Sequence, residues 1–569
     1  MKRYASASIG ASRTRLAGAR TEYWVLVAVT LVAVFYGVVY PNTGLVVESL
    51  RSPGGIGAMY AEVLGYRSTR DAITWSLVLS LATVVGSALV GVPIALLLDK
   101  FRFPGSRAVA ACAVSPLLLP PLVGSIAFVF LLGESGIVTR FVSQIFGLTS
   151  PIYHFKGFWA VLVFHVYTIF PFFFVFTRTA LARTDPSLLE AGRMLGAGPL
   201  ARFARITLPG LRGGLTAASI LAFMTSMASF SAPYLFGGGL RVLTLEIYNA
   251  KVNNDRSLAL VQTVILAVLS LITVALFART EAAASKSGTK GSAGRRVPVR
   301  SRTARWLAIS GSAILAAVLL LPHLTIVLLS FANVSRWTTE VLPPVYSLAN
   351  FGRLFTDRRF ITPVFNSLWM SALAAVAAFV LGVASAYLIS RYRFRGRTAT
   401  TILLLVPWAL PGTVLAYQVV ETYSRSSLVT GGLALAGSTL LLPFIYLLRN
   451  LPLVFRSALV NLDQLDRELE AAARSLGASW LQTMRRIVLP LVLPGVVAGT
   501  LLAFSLALGE FVASIVAYVY SNRPISIQIE QSMRQGDLGM AAAYGTILIV
   551  MVALTLTRLG GAESARANI

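Results

Sequence analysis

Apolar runs of about 20 residues, the length an α-helix needs to cross a bilayer, recur along almost the whole sequence. They lie near 23–40, 72–98, 108–133, 157–177, 213–235 and 257–278, then near 306–331, 367–389, 399–421, 431–448, 494–520 and 540–557. A soluble domain carries roughly a quarter of charged residues. Here they are 12%, against 56% hydrophobic, so the fold class expected is an all-α polytopic membrane protein of about 12 transmembrane helices. The first run follows Lys2, Arg3, Arg13, Arg15 and Arg20 and superficially has the form of a secretory signal. No small-residue cleavage pattern follows it and it is long enough to span, so it is read as an uncleaved first helix.

A formal net charge of +27 raises the question of nucleic acid, but the basic residues sit between apolar runs rather than on a soluble face. Roughly two thirds of the 49 Lys and Arg fall on the N-terminus, the segments near 100, 190, 393 and 470, the region 279–305 and the tail. By the positive-inside rule these are cytoplasmic, which places both termini in the cytoplasm and expects no nucleic-acid partner. Cys112 is the single cysteine and lies in an apolar stretch, which excludes an intrachain disulfide and a thiolate metal cluster.

The sequence is duplicated. A shift of 291 residues lays Val92-Pro93-Ile94-Ala95 on Val383-Ala384-Ser385-Ala386, Phe101-Arg102-Phe103 on Tyr392-Arg393-Phe394, Gly105 on Gly396, and Pro116 and Pro120 on Pro407 and Pro411. A shift of 281 then lays Arg193, Gly196 and Ala197 on Arg474, Gly477 and Ala478, and Pro209 on Pro490. Two homologous six-helix halves follow, 1–278 and 306–569, with parallel topology and a pathway between them. Residues 279–305 are rich in Gly, Ser, Ala and basic side chains and are read as a flexible cytoplasmic linker.

Between the fourth and fifth runs of each half lies a polar stretch patterned as two short helices. In the first, Asp185 is a candidate N-cap, Pro186 suits a first turn, and Gly196 permits the positive φ that ends a helix; a second helix is expected over Pro199 to Ile206. In the second, Asp466 starts the equivalent helix, Gly477 ends it, Ser479 caps the next and Leu489-Pro490 closes it. The Gly-to-Pro spacing is thirteen in both copies.

Glu190-Ala191-Gly192 with Gly196 and Ile206-x-Leu208-Pro209 resembles the EAA loop of type I ABC importer permeases, and the second copy is similar. The resemblance covers each half from its second run to its last. It implies that each hairpin seats in an ATP-binding subunit, with Glu190 and Ala191 of the motif contacting that subunit and Gly196 and Gly477 making the turns. Ala471 stands where the second motif Glu is expected, and Glu470, one residue earlier, is the candidate for its contact with the ATP-binding subunit. The resemblance further implies two ATP-binding subunits, a periplasmic or lipid-anchored solute-binding protein, and a place in the bacterial inner membrane. No G-x-x-x-x-G-K-[ST] loop is present, Gly288-Thr289-Lys290 sharing only letters with it, so ATP and Mg2+ are assigned to the partner subunits. This chain is expected to hold no cofactor or metal and to be no enzyme.

Ionisable groups within spans are pathway candidates. Glu510 in the eleventh run is the sharpest, and its aligned partner is Ser229. His165 and His323 are read as packing residues, and Glu421 and Gln418 as solvent-exposed. The prolines at 116, 120, 121, 407 and 411 either line a pathway or kink helices for packing, the latter being preferred. A one-chain fusion of both halves, with Ser229-Phe230-Ser231-Ala232-Pro233, looks most like ferric-iron permeases, with thiamine, polyamine, phosphonate and sugar-phosphate permeases as alternatives. An ion-coupled secondary transporter, the reading from another class, needs several coupled intramembrane charges, and few are present.

Overall fold

The computed structural model describes residues 21–50, 55–151, 153–182, 185–284, 297–298, 301–337, 340–426, 432 and 434–567. The N-terminal basic cluster and most of the linker lie outside them.

The helices that build the bundle are numbered so that each has its counterpart ten numbers later. In the first half they are α1 (Thr21–Glu48), α2 (Arg67–Lys100), α3 (Ser106–Cys112), α4 (Pro121–Leu132) and α5 (Gly157–Ala182). The half continues with α6 (Pro186–Met194), α7 (Pro199–Met227), α8 (Ser231–Phe236), α9 (Leu243–Val252) and α10 (Arg256–Ala284). The second half repeats them as α11 (Arg302–Ser330), α12 (Arg358–Arg391), α13 (Arg397–Ala409), α14 (Gly412–Thr422) and α15 (Leu441–Gln464). It ends with α16 (Arg467–Ser475), α17 (Trp480–Leu508), α18 (Val512–Ala517), α19 (Ile525–Arg534) and α20 (Leu538–Ala567). α2 and α12 are both 34 residues long and sit 291 residues apart, so the duplication read from short motifs extends to whole elements.

Among the described residues ten helices are long and apolar enough to cross a membrane, eleven if the bent pair α13–α14 counts as one. The expected tenth crossing, near 431–448, is displaced: α15 begins at Leu441 and carries within its length the part-buried Arg449 and the exposed Arg456, which lowers its apolarity. The expected third crossing is broken into α3, a 3-10 turn at Ser115–Leu118 and α4, and α13 and α14 meet at 108° across Pro411. Proline has no N–H to donate and its ring clashes with the preceding turn, so each Pro cluster ends one helix and starts another.

The fifth and eleventh crossings also differ from expectation. The short helices expected to close at Ile206 and Pro490 instead run straight into α7 and α17 through π-turns at Phe203–Thr207 and Met484–Val488. In each, the residue before the proline, Leu208 or Leu489, donates its N–H five residues back, to Phe203 or Met484. The wider turn accommodates the missing donor of Pro209 and Pro490 without ending the helix.

Lipid tails offer no hydrophobic drive between helices, so close packing and interhelical hydrogen bonds hold the bundle. A Cβ at Gly91 would lie 2.5 Å from the Phe170 carbonyl oxygen, and one at matching Gly382 would lie 3.0 Å from the Phe455 nitrogen. These glycines let α2 and α12 approach α5 and α15. The first helix of each half leans on the other half. Thr30 of α1 donates to Ser385 at 3.2 Å, and Tyr423 donates to the Tyr36 carbonyl at 2.6 Å. In return Tyr167 of α5 donates to the Leu319 carbonyl of α11 at 2.7 Å. Residues Phe101–Arg102 and Val297–Pro298 pair as a two-residue parallel ladder, fixing the end of the linker beside the α2–α3 loop.

Candidate translocation cavity and coupling hairpins

The two broken helices meet at the centre of the molecule, where they bound a cavity of about 410 Å3. Pro116–Pro121 and Pro407–Pro411 form opposite parts of its wall, so these breaks line a cavity rather than only bending helices for packing. Carbonyls freed by proline are tolerated at membrane depth where they face such a space. Most of the remaining wall comes from α5, α7, α15 and α17, including the matched residues Leu221 and Leu502, with Ser270 and Thr273 of α10 and Val552 and Leu556 of α20 completing it.

At the ends of α7 and α17 farthest from the hairpins, matched Phe230 and Phe511 meet across the two halves with ring centroids 5.8 Å apart. Tyr248 packs edge-on against Phe230 at 5.3 Å. Beyond this aromatic layer the Tyr234 hydroxyl donates to Glu530 at 2.7 Å, and Arg534 pairs with Glu530 and Tyr234. Lys251 of α9 donates to the Val516 carbonyl of the other half, and burial pulls its ammonium down to about 8. These contacts join the two halves on the side of the cavity opposite the hairpins.

Ser229 and Glu510, paired by the sequence alignment, occupy the same place at the α7–α8 and α17–α18 breaks, and both line the cavity. Their backbone carbonyls are held alike, Ser229 by the Thr244 hydroxyl at 2.6 Å and Glu510 by the Ser526 hydroxyl at 2.9 Å. Their side chains differ. Ser229 lies 2.7 Å from Nε2 of His165, whose Nδ1 lies 3.1 Å from the Ser226 hydroxyl and 3.3 Å from that of Thr83. Glu510 instead forms an ion pair with Arg449, whose Nε lies 2.7 Å from its Oε2, and accepts from the Ala513 N–H at 3.0 Å. Sequence reasoning missed Arg449, because it fell one residue past the expected tenth crossing and was counted among loop charges. Its only local signal is a lone Arg within an otherwise apolar helical stretch.

His323 behaves as a packing residue. Its Nε2 lies 3.1 Å from the Ser115 carbonyl, which can only accept, so that nitrogen carries the hydrogen. Gln418 and Glu421 are not solvent-exposed as expected. Gln418 is 1% exposed, and Glu421 pairs with Arg256, which also reaches Glu48 at 2.9 Å.

The hairpins form on one face as their caps predict. Asp185 accepts from Ser187 N–H and Asp466 from Glu468 N–H, each at 2.9 Å. Gly196 and Gly477 take φ of +75° and +89°. Each is followed by an N–H that reaches back five residues, Ala197 to Gly192 and Ala478 to Ala473, both at 3.0 Å. Ser479 and Gln482 cap the start of α17 reciprocally.

Glu190 and Ala191 are exposed, and Glu190 has no ion-pair partner among the described residues. Apolar side chains beside it face outward, Met194 and Leu195 each 87% exposed, as Leu476 is at 90% in the second hairpin. Glu470 points the other way. Its side chain is 6% exposed and accepts from Arg391 Nε at 2.6 Å and from the Tyr387 hydroxyl at 2.8 Å, which ties α16 to the end of α12. Ser390 and Asp463 bond beside it at 2.6 Å.

A family model described as the binding-protein-dependent transport system inner membrane component matches this chain twice, over residues 91–286 and 378–559. A probable ABC transporter permease protein of Sinorhizobium fredii is 28% identical over 545 residues, which cover 94% of this chain and 95% of that protein. A ferric transport system permease protein of Actinobacillus pleuropneumoniae is 25% identical over 551 residues, covering 92% and 75%. A spermidine/putrescine transport system permease protein of Haemophilus influenzae is 30% identical over 203 residues, covering 35% of this chain and 76% of that protein.

Proposed function

Because the chain belongs to the family of binding-protein-dependent transport system inner membrane components, we propose that it works by alternating access, driven through its two hairpins by two separate ATP-binding subunits. It is a permease subunit of an ABC transporter and a multi-pass membrane protein. ATP binding closes the ATPase pair, the hairpins move with it, and the halves part at the Phe230–Phe511 layer to receive solute from a binding protein. Hydrolysis returns the cavity to the hairpin side, the arrangement described above. In this reading the hairpin face and both termini are cytoplasmic.

The observation that carries the reading is the continuity of each hairpin with a cavity-lining helix. Pro199 and Trp480 start helices that end, without a break, beside Ser229 and Glu510. A push on either hairpin therefore reaches the cavity wall through hydrogen-bonded helix rather than through a loop. Glu190, Ala191, Gly196 and Gly477 are the docking and turn residues in this scheme, and Glu470 holds its hairpin in place from behind.

Ferric iron is the solute favoured, on the full-length similarity to a ferric transport system permease protein. Thiamine, polyamine, phosphonate and sugar phosphate are the competing solutes, and an ion-coupled transporter is the competing class. Purification of the tagged chain from its native membrane separates the classes. Co-purification of an ATPase chain, and uptake that stops when ATP hydrolysis is blocked, are expected. Uptake that follows an ion gradient with no ATPase attached overturns the proposal.

A further inference from the structure

We infer that a cleft at the seam between the halves, on the side opposite the hairpins, holds one acyl chain of a bilayer phospholipid, with the lipid's phosphate at Arg336. The inference goes beyond the permease reading and needs only that the chain spans a membrane. The cleft measures about 650 Å3, within the roughly 300–1,000 Å3 of pockets that enclose a small molecule. Both halves build it. Leu131 and Phe141 form one wall, Leu324 and Leu328 of α11 the other, and Leu342 of the loop after α11 closes one end. Among the described residues that line it Thr325 alone is polar, and its hydroxyl donates to the Leu321 carbonyl at 2.8 Å. The wall leaves no side-chain hydroxyl or charge to be matched, so the occupant that fits is hydrocarbon.

Position decides which hydrocarbon. The two walls are membrane spans, α11 and the span Pro121–Ile145 of which α4 is the first part. Along α11 the exposed Ile314 and Val318 lead directly to Leu321 and Leu324, so the cleft is continuous with the surface that meets lipid. It follows α11 from Leu321 to Phe331. Ten residues of helix are about 15 Å, the depth of the hydrocarbon in one leaflet. A chain from that leaflet can therefore enter sideways and lie along α11 without leaving the bilayer.

Charge is found at one end only. α11 stops at Ser330, and the loop beyond it carries Arg336, Trp337 and Glu340 before returning to the cleft at Val341 and Leu342. Tryptophan and basic residues are what chains place at headgroup level. Arg140 fastens this loop to the opposite wall, donating Nη1 to the Glu340 carbonyl at 2.9 Å with its guanidinium 4.3 Å from the Trp337 ring. Glu340, the one acidic residue of the loop, offsets one of the two arginines. Arg336 remains, exposed and without an ion-pair partner among the described residues. A phosphate ester is the anion that such a guanidinium meets at a bilayer surface.

The full chain, purified in a mild detergent and exchanged repeatedly into lipid-free detergent, is weighed intact by native mass spectrometry, and the bound species is identified by fragmentation. One phospholipid per chain should survive the exchange. Leu324→Trp with Leu342→Trp fills the cleft from two exposed positions, leaving the core alone, and should abolish retention. Val380→Trp, equally exposed on α12 but outside the cleft, should leave it unchanged. Arg336→Gln should lower retention about fivefold, the worth of one basic side chain at a lipid surface. Only detergent or free fatty acid remaining after exchange overturns the inference, as does retention unmoved by the paired tryptophans or lost equally in Val380→Trp. Retention that ignores Arg336→Gln overturns the placement of the phosphate. A lipid-free dimer that the paired tryptophans break would show that a second copy covers the cleft, and refutes the lipid. No ATPase or solute enters this measurement, so its failure leaves the ATP-driven reading standing.

Discussion

At the break between α7 and α8 the first half places Ser229, facing His165 and Thr168 on α5. At the same backbone positions the second half places Glu510, facing Tyr446 and Arg449 on α15. One half thus meets the cavity with hydroxyls around an imidazole and the other with an ion pair. The hairpins diverge in the same way. Leu96, Lys100 and Leu189 of the first half stand where Tyr387, Arg391 and Glu470 lock the second. Backbone features held in common, such as the approach glycines and left-handed turns, are demanded by packing twice over. Side chains that meet only at the pseudo-symmetry axis or behind one hairpin carry no such demand, and there the halves have specialised.

The most disruptive test of this division strikes what the halves share. Gly196→Pro and Gly477→Pro each put a residue restricted to φ near −65° where φ is +75° or +89°. Uptake should be lost in both variants while membrane insertion, followed by protease protection of the termini, is unchanged. Normal uptake in both refutes the coupling assignment. Loss in one alone would show that the halves are unequal even where their backbones coincide.

A smaller, unequal effect is expected about two turns earlier. Glu470→Ala strands the buried Arg391, costing about 3–5 kcal/mol and lowering the apparent melting temperature. Glu190→Ala removes an exposed carboxylate, changes stability by less than about 0.5 kcal/mol, and weakens retention of the ATPase. The triple change Tyr387→Leu, Arg391→Lys, Glu470→Leu imports the first half's residues and should recover much of the stability that Glu470→Ala loses. Equal melting temperatures for Glu470→Ala and Glu190→Ala would mean that the buried pair does not hold the hairpin.

In the cavity, Arg449→Thr and Glu510→Ser convert the second half's chemistry to that of the first. Each alone leaves a charge without its partner and should cost about 2 kcal/mol, reduced from the fully buried case because Arg449 is part-exposed. Together they should cost less than the sum by more than about 1 kcal/mol, measured by thermal unfolding in a double-mutant cycle. Strict additivity would refute the pairing.

These asymmetries mark where sequence reading stops. The duplication, most crossings, the Asp caps and the Gly turns were legible because each rests on residues within one or two turns of one another. Arg449 was not, since a helix interrupted by two arginines falls below the apolar average that identifies a crossing, and its partner lies on another helix at Glu510. The π-turns were hidden for a related reason. Leu208-Pro209 and Leu489-Pro490 have the form of helix stops, and only the preceding i to i−5 bonds reveal that the helix continues. Glu470 was visible as a carboxylate next to the motif position, but its inward turn depends on Arg391 and Tyr387, some 80 residues away.

The smallest expected effect concerns a polar cap that both hairpins retain. Asp185 and Asp466 cap α6 and α16 with the same 2.9 Å bond to the N–H two residues on, although one hairpin is open behind and the other locked. Replacing an N-cap carboxylate by Ala costs about 1 kcal/mol, which corresponds to roughly fivefold faster amide exchange in the first turn of the helix. In Asp185→Ala that increase should appear in full, because α6 packs on Ile206 and Arg202 only through Gly192, near its far end, and no buried ion pair among the described residues pins its middle. In Asp466→Ala the Arg391–Glu470 pair still pins the middle of α16, so the increase should be confined to Arg467 and Glu468. If exchange spreads as far along α16 as along α6, the buried pair is not what distinguishes the two hairpins, and their mechanical inequality falls with it.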